Sequence, residues 1–97
     1  MSRPFPMTIG AMTFSDRDKA SLTVEEWAEV RRIQDRLRDM GRELVRVQAT
    51  YWTAKDREGQ LAVAERQREM LAEADQWEAR FLGFEALALS RQLQVQN

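Results

Sequence analysis

A chain of 97 residues carrying 15 basic and 16 acidic side chains is a single small, nearly neutral domain. That balance gives no wholesale attraction to nucleic acid or to a membrane surface. It contains no cysteine and no histidine, which excludes disulfides, thiol nucleophiles, thiolate or imidazole metal sites and imidazole acid–base catalysis. No apolar run reaches the roughly 18 residues that a membrane span requires. Residues 1–14 lack the basic start and continuous apolar block of a secretory signal. The expected location is the cytoplasm or an assembled particle.

Residues 1–22 read as an N-terminal arm. Pro4 and Pro6 rule out a helix at the start, and Phe5, Met7 and Ile9 alternate with Pro6 and Thr8 to give an extended segment one apolar side. Met12 and Phe14 add two more large apolar side chains. Ser15-Asp16-Arg17-Asp18 is suited to capping one helical turn before Ser21.

The first long helix is expected over about 23–56. Thr23 and Glu26 have capping-box spacing, with Leu22 and Trp27 in the flanking staple positions. Val30, Ile33, Leu37, Met40, Leu44, Val47, Tyr51 and Ala54 then recur at alternating spacings of three and four, a heptad seam that runs past Gly41 without losing phase. A second seam follows: Val63, Gln67, Met70, Ala74, Trp77, Phe81, Phe84, Ala88 and Arg91. Gly59 is the turn-forming residue between them. The reading is therefore a turn at about 57–60, centred on Glu58-Gly59, and a second helix at about 61–94. In that register Met40 lies level with Trp77, Leu37 with Phe81, and Gln67 with the Tyr51 hydroxyl. The rival is one continuous helix of some 70 residues pairing with a second chain.

The fold class that follows is all-α: a long, coiled-coil-like antiparallel hairpin over 23–97. The extended N-terminal arm accompanies it, and oligomerisation or a partner completes a bundle. Two sets of apolar residues exceed what a lone hairpin buries. Val45, Ala49 and Trp52 form a second stripe on the first helix, away from its seam. Leu82, Leu87 and Leu89 help to make the second helix apolar around nearly its whole circumference. With Phe5, Met7 and Ile9 of the arm they are the candidate protein interface, Trp52 being the best anchor.

Arg31, Arg38, Arg42 and Arg46 share an outward stripe of the first helix, interleaved with Asp35, Asp39 and Glu43. The interleaving favours a solvated face laced with ion pairs over a phosphate-binding ladder. No glycine-rich phosphate loop occurs, and no carboxylate pair stands apart from the many acids at helical spacing.

Chain length and the helical hairpin resemble the small secreted effectors that carry a Trp-x-Gly motif at their turn, but here the turn reads Asp56-Arg57-Glu58-Gly59. Size and residue types also resemble the all-helical chorismate mutases. That resemblance would give Arg31, Lys55, Arg57, Glu58 and Gln92 as the anion-binding set, and Ser90-Arg91-Gln92 as the end of the family pattern. The basic and acidic residues crowd the turn more closely than in that family, and neither family is assigned.

The functional expectation is a non-enzymatic structural or adaptor protein acting through protein contacts. A phage particle component, a phage-encoded inhibitor of a host protein or a secretion-apparatus component would suit it. The alternative is a small all-helical enzyme of chorismate-mutase type acting on a dianionic small molecule. A second copy of the chain or another protein is the expected partner. No nucleic acid, membrane, metal ion or cofactor is expected, and no residue is assigned a catalytic role.

Overall fold

The computed structural model describes residues 13–96, so Phe5, Met7 and Ile9 lie outside the described residues. Three helices follow in order: α1 (Asp16–Ala20), α2 (Val24–Thr53) and α3 (Arg57–Gln96). The last two form an antiparallel hairpin within a body of 61 × 26 × 15 Å. The break between Thr53 and Arg57 decides against one continuous helix.

Both starts of the first two helices follow from local chemistry. Ser15 caps α1 by accepting from the Asp18 N–H at 3.1 Å. At α2 the capping box is complete: the Thr23 Oγ1 accepts from the Glu26 N–H at 3.1 Å, and the Glu26 Oε1 accepts from the Thr23 N–H at 2.8 Å. Two amides that lack an intrahelical partner are thereby satisfied together. Leu22 and Trp27 both pack against the core, as staple residues should.

The core is the pair of seams. Val30, Ile33, Leu37 and Leu44 are fully buried on α2 with Met40, against Met70, Ala74, Phe81 and Ala88 on α3. Val47, Trp77 and Phe84 cover its margins. Gln48 is buried as well, one position beyond the expected seam residue. A straight helix advances 3.6 residues per turn against a 3.5 repeat, so its buried face drifts by about 20° per heptad and reaches Gln48 near the turn.

The turn differs from the sequence expectation. Ala54 leaves α2 in an extended conformation (φ −65°, ψ 131°), and Asp56 starts α3 by accepting the Gly59 N–H on its side chain at 2.7 Å. Gly59 therefore sits in the first turn of α3, and the connection is residues 54–56 instead of about 57–60. Its lack of a side chain still matters, because a Cβ there would stand 3.1 Å from the Asp56 Oδ1. The reason for the difference is that an Asp cap satisfies free amides at a helix start, whereas a glycine only permits a turn.

Moving the turn moves the register. Arg36 pairs with Glu73 at 2.7 Å and Glu43 with Arg66 at 2.8 Å, while Arg80 reaches Glu29. These contacts bring Leu37 level with Ala74 instead of Phe81, and Met40 beside Met70 instead of Trp77. The hairpin is thus displaced by one heptad from the expected pairing. Every seam residue keeps its face in such a slip, because a heptad pattern repeats itself.

Gln67 consequently lies near Leu44 instead of opposite Tyr51. It is buried, and its Nε2 finds no hydrogen-bond partner. A buried amide left unpaired costs about 1–3 kcal/mol. Gln67→Leu is expected to raise the free energy of unfolding by about 1 kcal/mol in a urea titration; a loss of similar size would show that the amide is satisfied in solution. Asp56→Ala is expected to lower it by about 1 kcal/mol, the usual worth of an N-cap.

Candidate functional site

After the slip α3, with 40 residues against 30 in α2, overhangs the start of its partner. The α1 segment folds across that overhang. Phe14 sets its ring edge-on to Phe81 (5.3 Å between centroids, 83°) and tilted against Trp27 at 5.9 Å. Lys19 lies over the Trp27 ring at 4.9 Å. Part of the apolar α3 block is therefore covered by the chain itself.

Polar contacts fasten the same pole. Arg91 grips the Glu26 carboxylate with both Nη atoms, at 2.5 and 2.9 Å, and donates to the Ser21 carbonyl at 3.0 Å. Gln92 donates to the Asp18 Oδ1 at 2.8 Å and the Ser21 Oγ at 3.1 Å. Glu26 thus holds a helix cap and a clamp between α2 and α3 with one carboxylate. The Arg91 guanidinium, then the Thr23 N–H, hold its pKa down at about 2 from an ordinary 4.5. An open cleft of about 630 Å³ beside this clamp is lined by Arg17, Ala20, Ser21, Arg91, Gln92 and Val95. Arg91 is engaged by Glu26 of α2 and the Ser21 carbonyl, and Gln92 by Asp18 and Ser21, so the polar lining of the cleft fastens α1 and the start of α2 to α3.

The outward arginine stripe is less closely paired than its spacing suggests. Arg38 meets Asp35 at 3.5 Å, but Glu43 turns to Arg66 across the hairpin. Among the described residues Arg31, Arg42 and Arg46 make no ion pair.

The expected stripes stand in the open. Val45 is 61% and Trp52 71% exposed, with Ala49 exposed between them. Leu82 and Leu89 are each 54% exposed. Leu87 departs from this set: it is half-buried and lines a shallow depression with Arg80, Gly83 and Phe84 on another side of α3. Ala86, inside the apolar block of the second helix, and Leu93, beyond the end of that block, are both exposed and extend Leu82 and Leu89 into one 4-3-4 stripe. The signal was present as a third heptad phase but was hidden by the apolar residues on every side.

Helix geometry places both stripes on one face of the hairpin. Val45 and Trp52 lie two and a half turns beyond Arg36 and Glu43, and Leu82 and Leu89 lie two and a half turns beyond Glu73 and Arg80. Half-integral turns reverse direction. The stripes therefore point away from the face that carries the cross-hairpin ion pairs, Val45–Trp52 at the turn pole and Leu82–Leu93 at the open pole.

The residues suggested by the mutase resemblance do not come together within the chain. Lys55, Arg57 and Glu58 are exposed at the turn, and Arg31 is exposed on α2. Gln92 is on the order of 50 Å from the turn along α3 and is engaged with α1. No group of three or more acidic side chains among the described residues is arranged to hold a metal ion, and no described helix is long and apolar enough to cross a membrane. Comparison with known proteins finds no matching family model, no similar curated protein and no similar solved structure.

Proposed function

We propose that the protein is a structural or adaptor element that works by protein–protein contact, either assembling with itself or docking on a larger particle. A phage particle, a phage-encoded inhibitor of a host protein and a secretion apparatus are the settings that such a small, cysteine-free hairpin suits. The observation that carries the proposal is the single face bearing two exposed apolar stripes, Val45–Ala49–Trp52 and Leu82–Ala86–Leu89–Leu93. Removing large apolar side chains from water is worth about 25 cal/mol per Å², and contiguous exposed apolar patches of this kind mark contact surfaces. Aromatic residues such as Trp52 are the commonest anchors of such surfaces.

Light scattering over a wide concentration range tests the proposal. The mass should rise above that of one chain, and Trp52→Glu and Leu89→Glu should each return it to the monomer value while the helical circular dichroism stays unchanged. A chain that stays monomeric throughout removes self-assembly and leaves docking on a different protein. The mutase alternative is tested by turnover of a dianionic substrate, which Arg31→Ala and Lys55→Ala should abolish.

A further inference from the structure

We propose that the occupant of the apolar face is a second copy of this chain, stacked face to face with its direction reversed so that the turn pole of each hairpin meets the open pole of the other. The inference rests on the contact-protein reading above and gives that reading a partner and a register.

Three observations support it. The stripes sit on one face but at opposite poles, so one copy cannot bring its own two stripes together. A two-fold axis across the middle of the face brings each against the other stripe of the second copy, twice over, as a self-complementary interface requires. Laid straight, that axis would set α2 over α2 and α3 over α3. Crossing the two hairpins by about 30°, within the scatter of the commonest class of helix packing, lays the turn end of α2 of each copy over the open end of α3 of the other.

The second observation is phase. In this arrangement α2 of one copy and α3 of the other run in the same direction. Val45, Ala49 and Trp52 advance by four and then three residues, and so do Leu82, Ala86 and Leu89. Once Ala49 is level with Ala86, Val45 meets Leu82 and Trp52 meets Leu89 without a change of spacing. Parallel helices with a common 4-3 phase are the pattern of a coiled-coil seam.

The third observation is charge. Among the described residues Arg42 and Arg46 beside the α2 stripe have no ion-pair partner, and neither have Glu78 and Glu85 beside the α3 stripe. With Ala49 level with Ala86, Arg46 of one copy flanks the seam on the same side as Glu78 of the other, at the positions where parallel coiled coils place their interhelical ion pairs.

The absence of cysteine from the native chain makes a clean test possible. Ala49→Cys and Ala86→Cys chains, mixed and oxidised, should give a disulfide-linked dimer. Either variant oxidised alone should stay unlinked, because its two thiols would lie on the order of 40 Å apart, far beyond disulfide reach. Arg46→Glu should weaken the dimer at least tenfold in sedimentation equilibrium, and adding Glu78→Arg to it should restore the affinity. Self-linking of either single variant would overturn this pairing. A mass above one chain without the mixed disulfide would overturn the pairing and leave self-assembly standing. A monomer at every concentration would overturn both.

Discussion

Phe81→Ala is expected to lower the free energy of unfolding by about 3–5 kcal/mol, the usual cost of emptying a buried aromatic position. The side chain is fully buried and is the largest of the fully buried residues. It also receives the Phe14 ring edge-on, so its loss removes core volume and the seat on which α1 rests. A domain of this size has only about 5–15 kcal/mol of total stability. The variant should therefore unfold early in a urea titration followed by circular dichroism, with the Trp27 fluorescence environment changing in the same transition. A loss below about 1 kcal/mol would mean that the Phe81 layer repacks freely and that α1 is not anchored through it.

Acid is expected to loosen the open pole through Glu26. Its pKa in the folded chain is about 2 against an ordinary 4.5. A carboxylate whose pKa is depressed by folding adds stability that is fully present above the unfolded value and disappears as pH falls through the folded one. The contribution should therefore be complete above pH 4.5 and decline between pH 4.5 and about 2. Glu26→Gln keeps an oxygen for the Thr23 N–H but removes the charge that Arg91 grips. The gap in thermal midpoint between wild type and Glu26→Gln should be widest above pH 4.5 and close as pH approaches 2. A gap that did not vary with pH would show that the carboxylate acts only through shape.

The seams were legible because burial of a helix face requires apolar residues at heptad spacing, and Val30 through Leu44 obey it without exception. The helix start was legible because Thr23 and Glu26 make their contacts within four residues. Register was not, since sliding by a heptad leaves Met40 facing an apolar residue either way. What decides it is the Asp56 cap, a local signal that the more conspicuous Gly59 obscured. Gln48 was missed because the seam drifts along a straight helix, and the Arg91–Glu26 clamp because two polar residues far apart in sequence carry no periodic signature. Of the candidate interface, Val45, Trp52, Leu82 and Leu89 lie in the open as expected, whereas Leu87 is half-buried on another side. That the stripes share one face follows from pairing the helices, which sequence alone leaves free.

The one-heptad ambiguity bears on the order of folding. Two arms whose apolar seams match in either of two registers can pair wrongly at first, and a mispaired hairpin, which lacks the Arg36–Glu73, Glu43–Arg66 and Arg80–Glu29 ion pairs, must separate before it can refold. Only the three-residue connection at Ala54–Asp56 and the contacts nearest to it distinguish the registers while most of the chain is still loose. Closing a short loop is fast, on the order of 100 ns or less. Chains that form this connection first are expected to zip from turn to open pole, with α1 docking after Phe81 and Trp27 have come together beneath Phe14. Folding rate should accordingly respond to changes around Asp56, and unfolding rate to changes around Arg91.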